Sequence, residues 1–393
     1  MNAAFPPPAT PPVRNAARRL RTALAALATL VLGGCSAIDF YWQGVSGQMN
    51  LIARARPIRD VLETTDDPLL KTRLLQVQAI RAFAVRELGL PDNQSYTRYS
   101  DLGRPYVVWN VVATPELSLT PRQWCYAIVG CVSYRGYFNE DQARAEAQRL
   151  VSGGDDVNLG GVAAYSTLGW FDDPVLSTFV RYRETELARL LFHELAHQIV
   201  YVKDDTAFNE SFAVAVEEEG MQRWLKAQAS RPDAAQLAED AARTRRLKSD
   251  FRAIVRSTRD RLRELYASKI PEAQKRAGKV VAFAEMREQY ERAKAGWGGI
   301  AAYDRWFQTG ANNAGIAGVG LYADHVPEFA VLIAAHQHDM PRFYDEVKAL
   351  AKLPKPARET RLAALARPAA IAGSNSLGSR LLAPEPGAPS TGP

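Results

Sequence analysis

The sequence predicts an α+β fold, mostly helical, with a small mixed sheet and a helical hairpin that carries a metal. Three observations predict it. Apolar residues recur at helical spacing in 40–90 and again around residue 190. β-Branched and aromatic runs are confined to 95–137 and 158–167. His193 and His197 stand four apart inside an apolar segment, and acidic residues follow beyond a short polar turn.

Composition sets the frame. The chain has 393 residues, 47% apolar and 23% charged, enough to bury a sizeable core and unlike a polytopic membrane or disordered chain. Of the net charge of +6, four units come from Arg14, Arg18, Arg19 and Arg21 at the N-terminus. No basic stripe interleaved with aromatics marks a nucleic-acid surface. The organisation expected is a leader over 1–34, one catalytic domain over 35–353 and a disordered tail over 354–393, rich in Pro, Ala, Gly and Ser.

The leader is Pro-rich and basic to residue 21, then apolar from Thr22 to Leu32, and ends in Leu32-Gly33-Gly34-Cys35. The apolar run is short for a bilayer span and suits a secretory signal. Its end resembles the bacterial lipobox, which implies lipidation of Cys35 and a membrane anchor. By the same resemblance, Ser36 favours the outer membrane, facing the periplasm. In an oxidising compartment Cys125 and Cys131 are expected to form a disulfide.

Along the chain, 40–90 reads as helical and closes at Leu90-Pro91-Asp92-Asn93. Strands follow at Tyr106–Val112, bounded by Pro115, and at Trp124–Val132. Asp141–Val151 reads as a helix ended by Gly153-Gly154, and Asn158–Thr167 as a strand with permissive glycines. Residues 182–202 and 207–228 are expected to form two helices joined by a short turn. Residues 233–297 read as charged, solvated helix. Gly310–Gly320 reads as loop or loosely packed helix, and Pro327 opens a further helix.

The segment His193-Glu194-Leu195-Ala196-His197 carries the chemistry. Two imidazoles one helical turn apart share a face and can hold one cation, and neutral imidazole suits zinc. Glu194 beside them is placed to move a proton. Leu187, Leu190, Leu191, Phe192, Leu195, Ile199 and Val200 make this helix apolar nearly all round, so it is buried, and burying these polar groups unpartnered costs several kcal/mol. A third ligand is expected across the turn Lys203–Thr206. Glu210 is the choice, with Glu217, two turns on, as runner-up or supporting group.

Asn209-Glu210-Ser211-Phe212-Ala213 resembles the Asn-Glu-x-Phe-Ala segment of gluzincin peptidases, whose Glu is the third zinc ligand. A nearer resemblance, over most of the mature chain, is to a group of bacterial "putative aminopeptidases" predicted to be lipoproteins. Val129–Phe138 and Tyr165–Trp170 share in it. The twelve residues between His197 and Glu210 are fewer than in the large zinc aminopeptidases. The resemblance implies zinc-dependent removal of N-terminal residues from periplasmic peptides.

Other parts are candidates. Residues 160–167 can pair with a peptide as an edge strand. Tyr165, Tyr134, Tyr137 and Tyr322 can donate to an oxyanion. Glu217 or Glu218 can hold a substrate amine, so Glu217 and Tyr165 are the substrate-binding candidates. His325, His336 and His338 read as surface or capping residues. Two rival functions stand beside the first: a lipid-anchored endopeptidase, and an envelope assembly factor with structural zinc.

Overall fold

The structure is a computed structural model and describes residues 42–126, 130–320 and 325–366. The leader, Cys35, Tyr322 and the chain beyond 366 lie outside the described residues.

Helix α1 covers residues 42–54. The further helices are α2 (Ile58–Thr64), α3 (Pro68–Leu88), α4 (Glu140–Ser152), α5 (Glu184–Ala196), α6 (Thr206–Ala227) and α7 (Ala234–Ala267). After them come α8 (Glu272–Gly296), α9 (Asp304–Thr309), α10 (Asn313–Gly320), α11 (Val326–Ala335), α12 (Met340–Ala351) and α13 (Lys355–Ala366). Strands are β1 (Arg56–Pro57), β2 (Arg98–Ser100), β3 (Val108–Pro115), β4 (Trp124–Tyr126), β5 (Gly130–Val132), β6 (Arg135–Tyr137), β7 (Asp155–Val162) and β8 (Val175–Leu176). The architecture is α+β and mostly helical, as the sequence predicts.

The main core joins α3, α5, α6, α11 and α12 through Leu74, Ile80, Leu191, Phe192, Phe212, Phe329 and Phe343. Each such side chain contributes about 1.5–3 kcal/mol on burial. Helices α5 and α6 approach closely at Gly220, where a Cβ would meet the Phe192 ring at 2.6 Å and Leu88 at 2.8 Å. A second core lies between α7, α8 and α9, and a third holds Trp109, Val111 and Tyr137 against α4. The sheet β6-β3-β7 is antiparallel, with Asn110 opposite Gly160 and Gly136. Its β3 presents Val108 and Asn110 toward the ends of α5 and α6 across a shared cavity.

Three expectations need correction. Trp124–Val132 is not one strand but the hairpin β4–β5, closed by a Cys125–Cys131 disulfide across the register pair. The helix expected over 182–202 ends at Ala196, and His197 is its C-cap. Downstream, the Gln198 side chain bonds Asn93 at 2.7 Å and Ser95 at 3.2 Å, holding the chain in a loop. The disordered tail does not begin at 354. Residues 355–366 form α13, with Leu362 buried in the main core and Arg358 ion-paired to Asp205.

Candidate metal centre

Helix α5 begins with a cap in which the Arg183 N–H donates to the Glu186 side chain at 3.2 Å. Its buried Glu184 accepts from Trp224 Nε1 and Arg231 Nη1, tying α5 to α6 and to the turn beyond it. Helix α6 begins with Asp205, which accepts from the Phe208 N–H and is itself gripped by Arg358 at 2.6 Å. One turn in, Asn209 donates to the Val202 carbonyl and accepts from the Val202 N–H, both at 2.8 Å. The loop between the two helices is therefore fixed at both ends. That is why Glu210 meets the imidazoles although the first helix stops early.

The meeting is close. His193 Nε2 lies 3.3 Å from His197 Nε2 and 3.3 Å from Glu210 Oε2, and His197 Nε2 lies 3.8 Å from Glu210 Oε1. Three ligand atoms bound tetrahedrally at about 2.0–2.1 Å from one ion stand about 3.3–3.4 Å apart. The imidazole–imidazole spacing matches that value, the two imidazoles meet different oxygens of Glu210, and one ligand atom from each of the three residues lies within 4.8 Å of the others. Two imidazole lone pairs and a carboxylate cannot converge so closely without a proton or a cation between them. His193, His197 and Glu210 are the group among the described residues that could hold a metal ion.

Electrostatics point the same way. Burial alone would lower the His193 pKa, but Glu210 and Glu217 overcome this and raise it to about 10. Burial pushes His197 down to about 4. Despite burial, Glu210 is held below the ordinary carboxylate range by His197 and His193. The metal-free site thus keeps positive charge on His193 against two carboxylates. Burial pushes Glu194 up to about 7, a value suited to exchanging a proton near neutrality.

The structure places Glu217 differently from the substrate-binding role expected of it. It lies behind His193, with Oε2 3.5 Å from Nδ1, and Oε1 is held by Arg189 Nη1 at 3.0 Å and Lys248 Nζ at 3.2 Å. It is buried and does not line the cavity. A carboxylate on the far nitrogen of a ligating imidazole fixes its tautomer and orientation. Arg189 and Lys248 were not singled out from sequence. Arg189 sits one turn before His193 on the same face, which was a legible signal, whereas Lys248 comes from α7 with no local cue.

The cavity measures about 550 Å³. Val108, Val132, Phe138, Val162, Ala164 and Tyr165 make its walls apolar, and His193, Glu194, His197 and Glu210 form its polar end. β7 is a sheet edge among the described residues, and Val162, Ala164, Tyr165 and Ser166 continue along the cavity. Of the candidate tyrosines, Tyr134 lines the cavity and interacts electrostatically with Glu210 and Glu194. Tyr165 lines it too, stacked edge-on against Phe138 and facing the charge of Asp173. Tyr137 belongs to the sheet core under Arg135. Tyr201, not singled out earlier, also lines the cavity. Glu218 is not among the cavity lining, His338 pairs with Glu219 at 3.1 Å, and His325 and His336 flank α11.

No curated protein and no solved structure gives a significant match to the chain. One family model, described as "Putative aminopeptidase", matches residues 39–362, a span that takes in both imidazoles, Glu210, the cavity walls and the first part of α13. With that match over most of its length, the chain belongs to this aminopeptidase family.

Proposed function

We propose that the protein is a zinc-dependent peptidase that removes N-terminal residues from peptides on the periplasmic side of a bacterial envelope, anchored by a lipid on Cys35. The observation that carries the reading is the convergence of His193, His197 and Glu210, with one ligand atom of each within 4.8 Å of the others, at one end of an apolar cavity, in a chain of an aminopeptidase family. His193, His197 and Glu210 would hold the ion, and an open side toward the cavity leaves room for substrate. A structural site would instead be closed by a fourth protein ligand, which no described residue supplies. A bound zinc ion supplies Lewis acidity to the scissile carbonyl and to the attacking water.

The chain's own residues do the rest. Glu194 takes a proton from the attacking water and delivers it to the leaving amine, which its pKa near 7 permits in both directions. Tyr134 donates its hydroxyl proton toward the oxygen that gains charge in the transition state. The edge of β7 and the segment 163–166 align the peptide backbone, and the apolar walls take its side chains. Glu217, backed by Arg189 and Lys248, keeps the His193 ring in register.

The test is Glu194→Gln. The variant is expected to keep its metal and to lose about 10²–10⁴-fold in kcat on aminoacyl and short-peptide reporters. Wild-type activity in that variant would remove Glu194 from the reaction. Comparing free-amine with N-acetylated peptides separates removal of N-terminal residues from internal cleavage.

A further inference from the structure

We propose that the uncharged face around the cavity mouth rests on the surface of a lipid bilayer, so that the site takes peptide segments lying at that surface. The bilayer contact rests on the anchoring read from the leader, and the peptide segments rest on the proposed peptidase reading.

Two segments carry no charged residue: 42–53, which is most of α1, and 157–171, which runs from β7 along the cavity. At the chain-wide charged fraction of 23% these 27 residues would carry about six charges. Their exposed side chains include large apolar ones beside Ser46, Asn50 and Ala53. Trp42 is 70% exposed, Val45 57% and Met49 54%, spaced to share one helix face, and Trp170 is 70% and Phe171 46% exposed. The two sets adjoin. Val45 and Leu168 share the wall of the cavity, while Ile52 and Ala55 share a neighbouring cleft with Trp170 and Phe171, at whose rim Arg98 and Asp172 supply the charged groups. A patch of this kind, continuous with a cavity mouth, marks an interaction surface. Other exposed apolar residues differ: Val280 and Val281 sit on the highly charged α8, beside Lys279.

The occupant follows from what precedes α1. The run Thr22–Leu32 is apolar, and Cys35 stands seven residues before Trp42. With the lipid on Cys35 of the proposed function, a membrane-inserting group is tethered to α1. Seven extended residues span at most about 25 Å. The start of α1 therefore stays within that distance of the bilayer, and the aromatic, charge-free face is the one suited to lie in its interface. No described helix is long and apolar enough to cross a membrane.

The test uses the full chain purified from membranes with its native N-terminus. It is reconstituted in phosphatidylethanolamine–phosphatidylglycerol vesicles whose acyl chains carry bromine. Bromolipid is expected to quench part of the emission of the seven tryptophans. The Trp42→Tyr/Trp170→Tyr variant is expected to lose at least half of the quenched component, with unchanged kcat/KM on a soluble peptide. Absent quenching, or quenching that the double variant leaves intact, overturns the proposal. So does unaltered quenching together with a raised KM for soluble apolar peptides, which would make the face a peptide groove. Quenching is read without turnover, so it stands or falls independently of the hydrolytic reading.

Discussion

Helices α5 and α6, and helices α7 and α8, are two pairs of consecutive packed helices that use charge in opposite ways. In α7–α8 the pairs made within each helix include solvent-facing ones: Arg263–Asp260 and Arg292–Glu288 have side chains 50–69% exposed. Such pairs contribute about 0–1 kcal/mol each. In α5–α6 the charged groups at the contact between the helices point inward. Arg189 and Glu217 have side chains 6% and 9% exposed, and His193, His197 and Glu210 converge beside them. Inward charge is costly, and a chain that buries it gains geometry in return. The two pairs meet at Lys248, which reaches from α7 to Glu217. The exposed pair therefore supports the buried one.

That contrast predicts a graded set of mutational effects. The largest should come from removing a ligand. His193→Ala is expected to abolish metal binding and lower kcat/KM by at least about 10³-fold, since a Lewis acid supplies several kcal/mol. Metal analysis with peptide assays checks it. Next comes Glu217→Ala, which leaves Arg189 buried without its partner. A loss of about 3–5 kcal/mol in denaturant unfolding is expected, with a 10–100-fold weaker metal affinity. If Glu217→Ala behaved like a surface change, the two helix pairs would not differ in the way described.

A pH dependence sharpens the contrast further. In the metal-free chain His193 is raised to about 10, above its unfolded value of about 6.5. Its contribution to stability is full below about pH 6.5 and is lost as pH rises toward 10. The chelated protein should therefore melt lower at pH 9 than at pH 6 by differential scanning calorimetry, and metal-loaded protein should show less of that decline. The smallest effect belongs to the charged hairpin. Arg263→Ala should change stability by no more than about 0.5 kcal/mol and leave hydrolysis untouched.

How much of this was legible in the sequence follows from the same difference. The His193–His197 spacing and the acidic residue across the turn are local patterns, so both imidazoles and Glu210 could be read directly. Glu217 shares the Glu210 face by spacing, but its role depends on Lys248, 31 residues away, and only folding brings that lysine in. The early end of α5 was hidden because no Gly or Pro marks it, and Asn93 and Ser95 hold the loop from far upstream. The reversal between β4 and β5 was obscured because Ala127-Ile128-Val129 looks like strand. Helix α13 was masked by its Pro- and Ala-rich surroundings, although Arg358 and Leu362 give it a buried side. Composition describes solvent-facing character well. It does not show which single residue in a low-complexity stretch finds a buried partner.

The measurement that bears most directly on the central claim is the metal content of the purified full chain, compared between the native sequence and Glu210→Ala. The account predicts one divalent cation per chain, removed by a chelator with loss of peptide hydrolysis and bound much more weakly once Glu210 is gone. A chain that hydrolyses peptides with no metal, or one that keeps a full equivalent in a His193→Ala/Glu210→Ala variant, would contradict it.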